Sequence, residues 1–225
     1  MDEKKTCSIS RAQTIISAII LVLSAVGMFV VWDLRFIIAG LIGSVICFSV
    51  KRGLRKRDYF ARALAFVIAE GFIFCTPPFL SSESLWRYPV QRGYIGLYRN
   101  IREPEDFTDF RADAESGYSF EYIPSIMQGS GYYSVRFVTS PERAAEYAEE
   151  YEKTAQYVIP YEEYGERYTL SSTEEILIYA DNEFWSAASE AVIYVCETNL
   201  SFNHPHTFAV IVDADRGMVQ LSQLG

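Results

Sequence analysis

Histidine is nearly missing from this 225-residue chain: only two occur, His204 and His206, side by side in FNHPHTF. That scarcity removes most histidine-based catalytic arrangements at once. The four cysteines, Cys7, Cys47, Cys75 and Cys196, are too scattered for a disulfide framework, and no CxxC or zinc-finger spacing occurs. Hydrolase elbows of the GxSxG type, phosphate-binding glycine loops and HExxH pairs are missing as well. Acid is scarce in one region only. Residues 1–80 hold five Asp or Glu against ten Lys or Arg, a net of +5, whereas residues 81–225 hold twenty-four against ten, a net of −14. Tyrosine divides the same way, with fifteen of sixteen beyond residue 80. Two parts built for two solvents explain both asymmetries, and such a charge contrast points to a membrane or a polyanion. The acidic part would repel phosphate, which excludes nucleic acid as a partner.

The first part is rich in apolar runs. Thr14 to Trp32 has no charge over nineteen residues, close to the roughly 20 residues that cross a hydrocarbon core. A cleaved signal peptide would have an apolar core of about 7–15 residues and a small-residue cleavage site, and neither fits. After Asp33 and Arg35 comes Phe36 to Val50, where Ala39, Gly40, Gly43 and Ser44 offer a small-residue face for close helix packing. A third run, Ala61 to Leu80, ends around Pro77-Pro78. The expectation is a membrane α-helical part, residues 1–80, with three transmembrane helices at about 14–32, 34–50 and 61–80 and a basic cytoplasmic loop at 51–60. An acidic, Tyr-rich extracytoplasmic α+β domain with a mostly antiparallel sheet would follow over residues 81–225.

Charge sets the expected direction. Lys51, Arg52, Arg55, Lys56, Arg57 and Arg62, together with Lys4, Lys5 and Arg11, place nine basic residues on one face, against Arg35, Arg87, Arg92 and Arg99 on the other. Basic residues near span ends stay in the cytoplasm. The loop from Lys51 to Arg57 then reads as a topology anchor on anionic lipids, each charge contributing about 1 kcal/mol near the surface. Trp32, Trp86 and Tyr88 suit an aromatic belt at the opposite interface.

Glu70 is the lone acid of the third run. In lipid it should be neutral and face protein, with the hydroxyls of Ser24 and Ser44 as hydrogen-bond partners. A contact between helices, within the chain or toward a partner subunit, is favoured over a proton relay, which needs several polar residues in series.

In the acidic part, Gly117–Pro124 and Tyr132–Thr139 alternate aromatic or branched residues with polar ones, the period of half-buried strands. Ser140-Pro141-Glu142 is a helix start, and apolar positions continue at helical spacing through Ala155 and Val158 until Pro160. EILIYA, AVIYVCE and TFAVIVDADRGMVQL supply further strands, the last two joined by a turn at Asp213–Gly217.

Three groups of residues carry the chemical options. His204 and His206 with Asp213 or Glu197 could ligate Zn²⁺ or Cu²⁺, but two firm ligands do not make a site. Asp213–Gly217 resembles half of a calcium loop, and a hairpin turn explains it better. Tyr157, Tyr161, Tyr164 and Tyr168, interleaved with Glu162, Glu163 and Glu166, form a candidate recognition surface. Cys196, within an apolar alternation, reads as a buried structural thiol. No cofactor is expected. The functional expectation is a multi-pass membrane protein that displays a non-enzymatic binding domain to a protein partner or a second copy. The alternatives are a metal-dependent hydrolase centred on His204 and His206, and a small transport subunit using Glu70.

Overall fold

In a computed structural model the chain divides into two compact units, Met1–Pro77 and Pro78–Gly225. The described residues are 3–49, 56–98, 109–126, 129–164, 168–171, 174–185, 190–199 and 206–225.

The helical unit contains α1 (Glu3–Val31), α2 (Arg35–Ser49) and α3 (Lys56–Cys75). Trp32, at φ 64°, ends α1 in the left-handed region. Asp33 then accepts the Arg35 backbone N–H at 2.9 Å and pairs with its guanidinium at 2.8 Å, which starts α2 in the reverse direction. The same guanidinium donates to the carbonyls of Ile73 and Thr76 at the end of α3, satisfying groups that a helix terminus leaves open. At the opposite end the Gln13 side-chain amide donates to the Cys47 carbonyl at 3.4 Å. The helices therefore alternate in direction. Small residues allow the close approach: a methyl group on Gly40 would run into Ser24, and one on Gly27 into the Phe36 ring.

Among the described residues only α1 has the dimensions of a membrane span, over Gln13–Val31 with mean hydropathy 2.7. The fifteen residues of α2 extend about 22 Å at 1.5 Å per residue, short of a hydrocarbon core of about 30 Å. The twenty residues of α3 are long enough, but Lys56, Arg57, Asp58 and Arg62 occupy its start and Glu70 its second half. No charge-free stretch of span length is left there. The expected three transmembrane helices are thus corrected to one candidate span with a short apolar helix and a more polar one packed beside it.

The sheet unit runs β1 (Leu80–Ser82), α4 (Tyr88–Gly96), β2 (Ser116–Ile123), β3 (Tyr132–Val138), α5 (Pro141–Glu152), β4 (Tyr157–Pro160), β5 (Tyr168–Ser171), β6 (Glu174–Ile176), α6 (Asn182–Trp185), β7 (Val192–Asn199), β8 (His206–Asp213) and β9 (Met218–Leu224). Seven of these strands form one antiparallel sheet in the order β1-β2-β3-β9-β8-β7-β4, and β5 pairs with β6 separately. Period-two alternation sends Phe120, Tyr133, Val135, Phe137, Phe208 and Leu221 to one face, all nearly inaccessible. Burial of side chains this size contributes about 1.5–3 kcal/mol each. Tyr88 of α4 meets the Phe120 ring at 5.6 Å, and Tyr147 of α5 meets Phe137 at 5.8 Å, so both helices cover that face. The opposite face, with Ile159, Ile193, Val195, Ala209 and Ile211, is covered by Tyr164, Ile176 and Trp185 from the segment between β4 and β7.

Ser140 caps α5 as its sequence suggests, its hydroxyl accepting the Arg143 N–H at 3.2 Å. The helix ends at Glu152, however, not at Val158. Gln156 donates its backbone N–H to the Val195 carbonyl, and Tyr157–Pro160 joins β7 as an edge strand. The helical spacing of Ala155 and Val158 loses to strand pairing that buries Ile159. In EILIYA, strand structure is likewise confined to its first two residues, Glu175 and Ile176. Leu80, expected in the last apolar run, pairs with Tyr122 in the sheet.

Candidate functional site

The polar residues of the helical unit come first. Glu70 lies on α3 between Phe66, which packs toward Gly43, and Phe74, whose ring meets Phe36 at 5.4 Å. That interval puts it at the level of Gly40 and its neighbour Ser24. Its Oε1 is buried without a hydrogen-bond partner, and so are the hydroxyls of Ser44 and Ser17. The expected bond between Glu70 and Ser44 is therefore not formed. Lys51, Arg52 and Arg55 lie outside the described residues, as do the side chains of Lys56 and Arg57, which open α3.

His204 is also outside the described residues. His206 opens β8, and its Nε2 lies 2.7 Å from the Gln223 side-chain nitrogen, which donates to it. The ring proton is left on Nδ1, 3.9 Å from the Glu197 carboxylate. Asp213 closes the same strand, so seven residue steps, roughly 23 Å, separate it from His206. Asp213 instead shapes the turn to β9: it accepts the Arg216 N–H at 3.1 Å, and Gly217 follows at φ 66°. Among the described residues no three His, Cys, Asp or Glu side chains converge as metal ligands.

The four tyrosines separate. Tyr157 and Tyr161 are half-buried, while Tyr164 is in the core with its hydroxyl donating to the Ile178 carbonyl and accepting the Ile178 N–H. The side chain of Tyr168 is outside the described residues. Tyr88, expected at a membrane interface, is also buried, its hydroxyl 2.7 Å from that of Tyr133. Cys196 is half-buried.

The densest polar arrangement lies where no motif pointed to it, on the sheet face under the Tyr179–Trp185 segment. Strand register aligns Glu121, Ser134 and Ser222 in one row and Ser119, Arg136 and Gln220 in the next. Gln220 is fully inaccessible. Its Oε1 accepts from the Trp185 indole at 2.6 Å and the Asp181 N–H at 3.1 Å, and its Nε2 donates to Ser134 and to the Tyr179 carbonyl. Beside it Arg136 pairs with Asp181 at 3.0 Å and lies over the Phe184 ring. Glu121 accepts from the hydroxyls of Tyr179 at 2.6 Å and Tyr132 at 3.0 Å, whose rings stack at 3.5 Å. Burial first, and then the Glu121 carboxylate, push the Tyr179 phenol well above its ordinary range, so both protons stay on the phenols. Gln220, Arg136 and Glu121 are each engaged with the covering segment, which makes the hub a clamp on it, although the Ser222 hydroxyl in the same row has no partner. One sequence signal existed: Gln220 and Ser222 interrupt Val219 and Leu221 in a strand that is buried on both faces.

Comparison with family models, with curated proteins and with solved structures gives no match for this chain. What the geometry defines is a class of architecture: an apolar helical unit followed by a clamped antiparallel α+β unit.

Proposed function

We propose that the chain is a binding protein anchored in the bilayer by α1, with the sheet unit displayed outside the cytoplasm to a protein partner or a second copy. One observation carries this reading. In the helical unit the large apolar side chains point outward, among them Val22 at 61% exposure, Leu23 at 65%, Val45 at 68% and Val67 at 64%. Water tolerates contiguous apolar surface of this kind poorly, and lipid requires it. Lys4, Lys5 and Arg11 lie in the first turns of α1, and that end of α1 faces the cytoplasm. In the sheet unit, half-buried Tyr157 and Tyr161 beside exposed Glu162 and Glu163 form the edge offered to a partner. Crosslinking in native membranes followed by capture of the full chain tests this: Tyr157→Ala combined with Glu163→Lys should lose a partner that the wild type retains. Equal capture by both would overturn the proposed edge.

A further inference from the structure

The outward side of α4 differs from the acidic surface around it. Residues 85–102, LWRYPVQRGYIGLYRNIR, contain four arginines and no acid, inside a part of the chain whose net charge is −14. Tyr88, Gln91 and Ile95 are the buried side of this helix. On its other side Val90 is 40% exposed, with Trp86 at 55% in the 3-10 turn just before the helix and Leu97 at 76% just after it, and Pro89, Arg92, Gly93 and Gly96 exposed among them. The Arg87 guanidinium lies over the Trp86 ring at 5.0 Å.

An apolar stripe headed by tryptophan and flanked by arginine, with no acid in its own stretch of sequence and Asp109 near Arg92, is the chemistry of a helix lying in a membrane interface. Chain length agrees. Trp86 follows Pro77 by nine residues, a reach of at most about 30 Å. We infer that α4 lies along the bilayer surface, with Trp86, Val90 and Leu97 turned to the acyl chains and Arg92 on anionic lipid phosphates. This inference rests on the bilayer-anchored reading above.

Fluorescence quenching tests it on the full chain reconstituted into vesicles of phosphatidylcholine and phosphatidylglycerol, with or without bromine on the acyl chains. The protein has three tryptophans, and the emission lost in Trp86→Phe isolates Trp86. Bromolipid should quench that difference by about half or more. No response to bromolipid would overturn the inference, whether acrylamide quenches Trp86, as it does when water covers α4, or fails to, as it does when a protein covers it. Val90→Glu with Leu97→Glu alters two exposed positions, so circular dichroism should be unchanged while bromolipid quenching of Trp86 disappears; retained quenching would overturn it too. The emission that survives in Trp86→Phe includes Trp32 at the end of α1. Bromolipid quenching there but not at Trp86 removes the α4 assignment alone. No quenching at either removes the anchored reading with it.

Discussion

In the helical unit Ile19, Val22 and Leu23 of α1 are 53%, 61% and 65% exposed, whereas in the sheet unit Phe120, Val135, Phe137 and Ile211 are fully inaccessible. Polar groups do not divide between the units in the same way. Ser17, Ser44 and Glu70 Oε1 are buried with no hydrogen-bond partner, while Gln220 makes four hydrogen bonds and Glu121 takes two phenols. The sheet unit also has buried side-chain atoms without a hydrogen-bond partner, among them the hydroxyls of Tyr118, Tyr122 and Ser222, Arg143 Nε and Asp213 Oδ2. The difference lies in apolar burial: the sheet unit covers its large apolar side chains itself, whereas the helical unit turns them outward, which is the surface the proposed bilayer anchoring would cover.

The largest way to break this comparison is alkali. Burial raises the phenols of Tyr118, Tyr122, Tyr147 and Tyr179, with Tyr122 pushed up to about 12 by burial and, secondarily, by Tyr98. Unfolded tyrosines ionise near pH 10, so their native stabilisation is complete below pH 10 and is lost as pH rises through the folded values. Phenolate absorbance should therefore stay low up to about pH 10 and then rise together with cooperative unfolding of the sheet unit. Smooth titration near pH 10 without unfolding would show these phenols to be exposed.

Gln220→Leu comes next. It leaves the Trp185 indole, the Asp181 N–H and the Ser134 hydroxyl unpaired and buried, and should cost about 3 kcal/mol in urea unfolding followed by Trp185 fluorescence. Gly40→Ala sharpens the other side of the comparison. The added methyl collides with Ser24, so helix packing should weaken by about 1–2 kcal/mol in detergent melts, and Ser24→Gly should restore it. The smallest effect is Tyr147→Phe. It deletes one hydrogen bond, 2.8 Å to Asp113, which also holds Arg143, and should cost about 1 kcal/mol.

Local signals in the sequence carried β2, β3, the cap of α5 and the turn at Asp213–Gly217, because alternation, an N-cap with proline and a turn glycine each act within a few residues. Signals that depend on distant partners were not legible. Val158 has a helical position in sequence and an edge-strand position in the fold, because β7 is there to pair with it. Tyr88 follows an apolar run closely enough to suggest an interface, yet its ring is held by Phe110, Phe120 and Tyr133 from elsewhere in the chain. The helical part was over-read for a related reason. An apolar run does not mark where its helix begins, and α3 begins five residues before its run, inside the basic loop. The hub around Gln220 joins β2, β3, β9 and the Tyr179–Trp185 segment, so no short window of sequence contains it.

Flotation of membranes tests the central claim most directly. Membranes carrying the full chain are washed with urea, which strips proteins held by contacts to other proteins, and then raised through a density gradient. The chain should rise with the lipid, with residues 78–225 still open to added protease. A chain left behind in the dense fractions would show that the outward apolar side chains of α1 meet something other than lipid.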